Sequence, residues 1–469
     1  MTDQSTVNTL KIPVSAGGTY DVIVIGGGVS GSMAGIAAAR HGAKTLIAEQ
    51  HGFLGGALTA MGVGPMMSFH NNAGRQVVTG LPQELVDRLV AHNASPGHIP
   101  DSITYCSTVT PFDSEQLKIE LETMLGEAGG AVRYHAHFIH AVTENGRITS
   151  VITGGPSGAV QHTADVFIDA TGDGILAADA GAPVALGRPA DNATQPMTMN
   201  LKVGNVDTDA VRRFVRDNPD DFHFTKGAGE GLRRLERTPR LSLAGYLSEW
   251  KGALESGEVD IPRELVLFFE MAEPGVIIVN TSRIQGLDPT NPDDISNAET
   301  IGRSQCMELF RFLKRRCRGF EHAVNLGTSV HIGVRESRHI EGLYCITADD
   351  LIGERDFEDT VALGGYPIDI HSPDRAETNS THLSSDAVYK IPLRSMLVKA
   401  PSNLVVVGRP ISATHEASAA IRVSPIAMAI GQAGGTLAAC AVKDGIEPNA
   451  FDGEKLRTAL RHDGVKLEK

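Results

Sequence analysis

The feature that most constrains the fold of this chain is a glycine-rich turn placed between an apolar segment and a stretch of small residues. The segment Tyr20–Ile25 is nearly all apolar, which is typical of a parallel strand buried on both faces. The turn Gly26-x-Gly28-x-x-Gly31 follows it, and a helix of small residues is predicted over 32–41. A glycine pattern in this strand–turn–helix context predicts a dinucleotide-binding unit, whereas the pattern alone would be weak evidence.

The turn and the strand that follows the helix suggest how such a ligand is held. The first glycine permits a tight turn, the second lets the backbone approach a pyrophosphate, and the third allows the helix to pack closely on the strand. The helix N-terminus, at Val29 and Ser30, would present N–H groups to the phosphates. A second strand, 44–49, ends in Glu49, whose carboxylate can accept both ribose hydroxyls, with Gln50 next to it. A glycine-rich turn without a ligand is the alternative, and these residues leave NAD and FAD open.

The length and the order of the segments predict two domains. A chain of 469 residues exceeds the size that one hydrophobic core usually serves. Residues 1–19 are predicted to form a flexible arm. Residues 20–189 and 390–469 are expected to build one discontinuous domain, because a buried strand at 403–407 and a Gly/Ala-rich helix at about 425–442 resume the first pattern. Residues 190–389 are expected to be an inserted substrate domain.

Charge and cysteine usage narrow the class of protein. A net charge of −14 disfavours nucleic acid and anionic membrane as partners, and the basic run at 314–316 is interpreted as a solvated helix face. The 5 cysteines form no closely spaced pair, which argues against a zinc site, an iron–sulfur cluster and a dithiol redox centre. No segment has the pattern of a signal peptide or the length of a membrane span. We therefore expect a soluble cytoplasmic protein that acts on a small molecule, without a metal, and that can form a homo-oligomer.

Four stretches together resemble the FAD-dependent oxidoreductases among the glutathione-reductase-like flavoproteins. They are the N-terminal unit with Gly55-Gly56, the strand end 170–174, the segment 333–338, and the block that begins Gly408-Arg409. The resemblance runs through nearly the whole chain in family order. It implies an α/β fold, with a Rossmann-like FAD-binding domain of the glutathione-reductase type and an inserted α+β substrate domain, and it selects FAD as the cofactor.

The resemblance also implies roles for individual residues. Asp173 would help to hold the phosphate–ribityl region, and the strand around Phe138 would give backbone contacts to adenine. The strand end at Gly408 and the helix start near Ile426 would approach the flavin. Many relatives have Gly-Asp where this chain has Gly408-Arg409, so an arginine here is expected to contact cofactor phosphate or substrate.

Candidate catalytic residues are concentrated in three glycine-adjacent stretches. Histidine can exchange protons near neutral pH, and arginine can clamp carboxylate or carbonyl oxygens. We favour the last stretch, with His415 as general acid/base, Glu416 as its orienting partner and Arg422 as a substrate or flavin contact. A purely structural role for that stretch is the alternative. The other candidates are His331, Arg335, Arg338 and His371, and Arg335 and Arg338 could equally form a structural ion-pair network with Glu336. His51 and His70 are weaker candidates for covalent flavin attachment.

The resulting hypothesis is a two-electron hydride transfer between flavin N5 and a small polar substrate, in the dehydrogenase or oxidase sense. Three alternatives stay open at this point. One is a reductase of an activated C=C bond, another is an electron-transfer subunit, and the third is a non-redox role in RNA modification or scaffolding.

Overall fold

The computed structural model describes residues 11–376 and 378–469, which form a mixed α/β fold. The strands, β1 to β21 in chain order, are Val14–Ile25, Thr45–Ala48, Met66–Met67, Ile99–Pro100, Thr108–Thr110, Ala131–Arg133, His137–Glu144, Arg147–Gly155, Gly158–Asp169, Val184–Leu186, Leu201–Gly204, Ser242–Gly245, Val266–Glu270, Ile277–Val279, Val324–Thr328, Arg338–Ile340, Thr360–Gly364, Ile368–His371, Thr378–Thr381, Tyr389–Pro392 and Leu404–Val406. The α-helices, α1 to α12, are Val29–Arg40, Leu81–Ala91, Ser114–Glu127, Ile175–Asp179, Thr208–Asp217, Ala228–Arg237, Leu247–Glu255, Pro292–Arg316, Ala348–Ile352, His415–Ile421, Ser424–Asp444 and Gly453–His462.

The predicted βαβ unit forms the centre of the main sheet. The order β6-β2-β1-β9 is parallel, and β21 pairs in parallel with β9. Val22–Ile25 lies in register with Thr45–Ala48 on one side and Val166–Asp169 on the other. Helices cover this part of the sheet, which is why β1 reads as an apolar run rather than an alternating one. The arrangement is of the Rossmann type.

Elements from the two ends of the chain pack together in this layer. The C-terminal helix α11 packs on α1 through glycines: a Cβ at Gly431 would lie 2.1 Å from the Ser30 carbonyl oxygen, and one at Gly435 would lie 2.0 Å from that of Ala34. Only glycine allows the two backbones to approach so closely. By length and composition α11 could cross a membrane, but 89% of its most apolar window is buried inside the protein. It is therefore packed as a core helix.

The N-terminal arm differs from its prediction where the structure describes it. Residues 1–10 lie outside the described residues, but Val14–Thr19 belongs to β1 and pairs with Ala159–Thr163 of β9. β9 continues into an antiparallel meander with β8 and β7. The pattern of alternating small and polar residues before Tyr20 conceals this extension, because its side chains are mostly exposed.

A second core belongs to a five-stranded antiparallel sheet of order β12-β13-β14-β11-β15, which the long helix α8 and shorter helices cover. Its buried side chains come from residues 197–334, with Trp250 and Phe312 in edge-to-face contact at 5.1 Å. Buried residues between 346 and 391 belong to the first core instead. The predicted middle segment 190–389 is thus divided between the two cores. At the end of α8, Arg315 and Arg316 form ion pairs with Glu258, consistent with a solvated helix end.

Candidate functional site

The glycine-rich turn, residues 26–31, forms a cradle whose backbone is closely packed at Gly26 and Gly31 and open at Gly28. Gly26 has φ +96°, and a Cβ there would lie 2.5 Å from the Ala170 carbonyl oxygen. A Cβ at Gly31 would lie 1.9 Å from the Gly26 carbonyl oxygen. At Gly28, by contrast, an added Cβ would meet only the Gly56 Cα, at 3.9 Å. The first and third glycines therefore serve packing, while the second keeps a backbone face open to a ligand.

Helix α1 begins directly at this open face. Its N-cap, Gly28, supplies no side-chain hydrogen bond to the first turn. The N–H groups of Val29, Ser30 and Gly31 therefore remain available, together with the positive end of the helix dipole. An uncapped helix start beside an open glycine backbone fits the pyrophosphate of a dinucleotide.

Glu49 ends β2 beside the cradle, as predicted. Its Oε2 accepts the Gly27 N–H at 2.6 Å and its Oε1 accepts the His51 N–H at 2.7 Å. The side chain is buried, and burial raises its pKa. Each carboxylate oxygen has a second lone pair, so the group can still accept hydroxyls of a ribose. Gln50 next to it is exposed.

The pair Gly55-Gly56 supports the cradle from the opposite side. The Gly55 N–H donates to the Gly27 carbonyl oxygen at 2.9 Å. Both glycines have positive φ, +105° and +46°, and a Cβ at Gly56 would lie 2.7 Å from the Gly28 Cα. The two glycine loops thus hold each other in place by direct backbone contact.

Asp173 and the last strand meet on the other side of α1. The Asp173 Oδ1 accepts hydrogen bonds from Arg409 Nη2 at 2.9 Å and from Ser337 Oγ at 2.7 Å. Gly408 has φ +82°, and a Cβ there would lie 2.6 Å from Ser30 Oγ. The Nη1 of Arg409 has no partner among the described residues, and Arg409 lines a cavity described below. Arginine in place of the Asp of many relatives therefore pairs with Asp173 and keeps a donor for a ligand.

Two further residues predicted to contact the cofactor, Phe138 and Ile426, lie away from the cavity lining. Phe138 lies in β7, whose strand partner is β8, on the far side of β9 from β2. The segment beside Glu49 is the one that leaves β6: Glu49 N–H donates to the Arg133 carbonyl oxygen, and Ala136 N–H donates to that of Glu49. The contact between the strand around Phe138 and adenine stays a prediction. Ile426, in the first turn of α11, is fully buried in the core.

A cavity of about 440 Å³ lies between the cradle and the five-stranded sheet. The cofactor side supplies Ala57, Met61, Arg409 and the start of α11 at Val423 and Ser424. Apolar lining comes from Leu265, Leu267 and Phe269, which lie in or next to β13 of the five-stranded sheet. They form a small cluster with Ile103 and Ala244 that is separate from the second core. The position of the cavity beside the cradle and its size are those of a small-molecule site.

The polar side of this cavity centres on Asp369. Its Oδ2 lies 3.3 Å from His371 Nε2 and 3.8 Å from Arg422 Nη2, and its Oδ1 accepts Ser380 Oγ at 3.1 Å. Tyr366 Oη donates to Oδ2 at 3.4 Å. Burial alone would raise the pKa of Asp369, but the hydrogen bond from His371 and the positive charge of Arg422 hold it below its usual range. The carboxylate is ionised.

His371 is held neutral in this environment. Arg263 Nη1 and Arg283 Nη1 each donate toward its Nδ1 at 3.4 Å, while Nε2 faces Asp369. Burial lowers the pKa of His371 well below its ordinary value, and the charge of Arg335 lowers it further. The Nε2–H tautomer matches both sets of partners, since Nδ1 then accepts and Nε2 donates.

The structure separates His415 and Glu416 of the favoured stretch from this cavity, whereas Arg422 lines it. His415 is buried at the start of α10, and its Nδ1 lies 2.8 Å from Glu336 Oε1. Glu416 is exposed, so Glu336, not Glu416, is the partner of His415. The prediction assumed a loop at 415–416, whereas a helix turn directs adjacent side chains to different sides. His415 is not among the residues that line the cavity.

The remaining candidates divide between the cavity and its surroundings. Arg335, His371 and Arg422 line it, and Arg338 and His331 do not. Arg338 Nη1 donates to the Asp173 carbonyl oxygen at 3.4 Å, and His331 lies edge-to-face with His51. Neither His51 nor His70 lines the cavity, so covalent attachment stays a prediction. Arg263 and Tyr105 also line the cavity, and no motif in the sequence distinguishes them from other residues of their types.

The comparisons with known proteins identify FAD as the cofactor. The family model described as FAD dependent oxidoreductase matches residues 21–460. No curated protein is significantly similar to the chain in sequence.

Solved structures offer distant likenesses. A geranylgeranyl bacteriochlorophyll reductase-like protein from Thermoplasma acidophilum is 14% identical, with TM-score 0.45 over 95% of this chain and 84% of that one. A flavin-dependent brominase is 14% identical, with TM-score 0.46 over 95% and 83%. The p-nitrophenol 4-monooxygenase of Pseudomonas putida is 10% identical, with TM-score 0.48 over 96% and 90%. At this distance they transfer neither a substrate nor a reaction.

Proposed function

Since the chain belongs to the FAD dependent oxidoreductase family, we propose that it catalyses two-electron hydride transfer between flavin N5 and a small polar substrate in the cavity beside the cradle. We propose the dehydrogenase or oxidase sense, on a domain arrangement of the glutathione-reductase type. The observation that carries this proposal is the cavity itself, because residues next to the cradle and residues of the five-stranded sheet both line it. Bound FAD would supply the hydride acceptor.

The residues of the cradle have distinct tasks in this scheme. The N–H groups that begin α1 bind the pyrophosphate, and Glu49 binds the ribose. Asp173 and Arg409 contact the part of FAD that lies between these groups and the cavity. The start of α11, which has no side-chain cap at Val423, directs N–H groups and a partial positive charge toward the cavity rim, where Val423 and Ser424 lie. Negative charge that develops on this side is thereby stabilised.

His371 takes the role that the sequence analysis gave to His415. As a substrate carbon gives up a hydride, the attached hydroxyl must lose a proton, and a neutral histidine in the cavity can accept it. His371 would accept the proton at Nδ1, from which the donors Arg263 and Arg283 must first turn away. Asp369 would hold the proton on Nε2 and balance the imidazolium that forms. His415 is enclosed with Glu336 and has no comparable access.

The test begins with the flavin. Purified protein should contain FAD, and anaerobic addition of hydroxy compounds from a panel should bleach its absorbance. A protein that binds no FAD contradicts the whole proposal. Bleaching by NADH alone, with turnover of activated alkenes, would instead support a reductase of C=C bonds.

Variants then assign the proton transfer. His371→Asn should retain FAD and lose about 10²-fold or more in the rate of substrate-driven bleaching. His162→Asn is the matched control, because His162 is buried in β9 away from the cavity, and it should keep the rate. A full rate in His371→Asn together with a loss in His415→Asn would return the role to His415.

A further inference from the structure

We propose that the substrate of this cavity is an organic acid whose carboxylate is bound by Arg263, Arg335 and Arg422. The inference rests on the proposed function and names its substrate class. All three guanidinium groups line the cavity. They come from separate parts of the chain, before β13, before β16 and between α10 and α11. A ligand that contacts all three would connect the five-stranded sheet with the start of α11.

Positive charge exceeds negative charge on this side of the cavity. Four arginines line the cavity, and one of them, Arg409, pairs with Asp173. The other three have Arg283 next to them, and the ionised carboxylate among them is that of Asp369. The resulting repulsion is visible at Arg335, whose pKa is lowered first by burial and then by Arg422 and Arg263. Buried like charges are costly unless an opposite charge joins them. A bound anion supplies that charge.

Two other carboxylates line the cavity without neutralising the arginines. Asp101 accepts its own loop's N–H groups, from Ile103 and Cys106, and the Ser242 hydroxyl. Burial raises its pKa. Glu264 is exposed, and its charge acts against the lowering of the pKa of Arg263 and of Arg283, but no described hydrogen bond or ion pair joins it to a guanidinium. This one exposed carboxylate reduces the surplus of positive charge without removing it.

The guanidinium donors are also incompletely used. Among the described residues, the Nε atoms of Arg263 and Arg422 are buried without a hydrogen-bond partner. Arg335 Nη1 donates to the Pro196 carbonyl oxygen and to Thr198 Oγ1, both at 2.6 Å, and these neutral partners leave its charge in place. Arg422 Nη2 reaches Asp369 only at 3.8 Å. Buried donors of this kind are rare unless a ligand completes them.

The shape of the site favours a carboxylate over a compact inorganic anion. A guanidinium presents two parallel N–H groups, which match the two oxygens of a planar carboxylate. Leu265, Leu267 and Phe269 give the cavity an apolar lining that suits the carbon skeleton of an acid. His371 and Asp369 line the same cavity, so an oxidisable carbon next to the carboxylate can lie near them.

Binding can be tested without any redox step. FAD-loaded protein is titrated with acetate, succinate, benzoate and phenylacetate, each against its own neutral amide at constant ionic strength, by calorimetry and by the flavin difference spectrum. We expect at least one acid to bind at least ten-fold more tightly than its amide. If no acid is preferred over its amide, the proposal is wrong. Tighter binding of inorganic phosphate or sulfate than of every acid also overturns it.

Variants of the arginines locate the effect. Arg422→Gln should weaken the preferred acid about ten- to hundred-fold and leave its amide unchanged. Arg212→Gln is the control, because Arg212 is a half-buried arginine outside the cavity that donates to the carbonyl oxygens of Leu235 and Thr238. If Arg422→Gln does not fold, Arg422→Lys keeps the charge and loses the paired donors, and the wild-type comparison still decides. Retained FAD without acid preference refutes this inference alone, whereas absence of FAD refutes the proposed function.

Discussion

The cradle and the cavity are neighbours, but different parts of the residues form them. The cradle is made of backbone: its glycines bring α1, the Gly55 loop and the end of β9 together at distances that a Cβ would occupy. The polar side of the cavity is made of charged side chains from remote segments, and its positive charges exceed its negative ones. An added side-chain atom should therefore disrupt the packing of the cradle, and a changed charge should disrupt ligand binding in the cavity.

The largest expected effect comes from one methyl group in the cradle. In Gly31→Ala the Cβ would lie 1.9 Å from the Gly26 carbonyl oxygen and 2.9 Å from the Ala170 Cβ. Because backbone must move to relieve that overlap, we expect a loss of about 3 kcal/mol or more in the free energy of unfolding. Urea denaturation of the protein without added FAD measures it.

Gly28→Ala is the matched control for that variant. Its Cβ has open space, with the Gly56 Cα at 3.9 Å, and would project toward the proposed pyrophosphate. We expect near wild-type stability and weaker FAD binding. Equal destabilisation of the two variants would contradict the distinction between packing glycines and a ligand-facing glycine.

The difference in construction also explains what the sequence could predict. The cradle lies within about thirty residues, and its signal is a steric requirement that only glycine meets. Glu49 is predicted from the same βαβ unit, because it stands at the end of the second strand. The cavity is assembled from Tyr105, Arg263, Asp369 and Arg422, which only the tertiary fold brings together. Their residue types are common on any surface, so no local pattern distinguishes Arg263.

Side-chain directions within the site could not be predicted from the sequence. A loop past the flavin was expected at His415, whereas a helix begins there and Glu336 is the partner of the histidine. The strand around Phe138 is β7, which pairs with β8, while β6 is the strand that pairs with β2. Its contact with adenine stays a prediction.

The next effect is electrostatic but lies in the cradle. Glu49→Gln keeps the shape of the side chain while one of its oxygens becomes an NH₂ group facing a backbone N–H, that of Gly27 or His51. We expect FAD affinity to fall about ten-fold, because a charged acceptor and one hydrogen bond are lost. Fluorescence titration of the protein without bound FAD measures it. Glu144→Gln on exposed β7 should leave the affinity unchanged, and a similar loss in that control would point to general charge rather than to Glu49.

A smaller effect should appear in the pH profile of the cavity. The pKa of His371 is lowered, so the neutral base is present near neutral pH and is lost only as the pH falls through that lowered value. For substrate oxidation, kcat/KM should therefore drop on the acid side, with a midpoint below the ordinary histidine value of about 6.5. Arg335→Gln removes a neighbouring positive charge, so the acid limb should move to higher pH. An acid limb that survives in His371→Asn would assign it to another group.

The smallest expected effect separates the two glutamates near His415. Glu416 is exposed, so Glu416→Gln should change the free energy of unfolding by less than about 0.5 kcal/mol and leave kcat/KM unchanged. Glu336→Gln removes the carboxylate that holds His415 and accepts the Gln195 N–H at 3.0 Å, which should cost about 1–3 kcal/mol of stability. Urea denaturation and anaerobic bleaching of both variants make the comparison. If Glu416→Gln slowed bleaching without loss of stability, an exposed carboxylate would act in the reaction, and the arginine-lined cavity would no longer contain all the charges that the substrate meets.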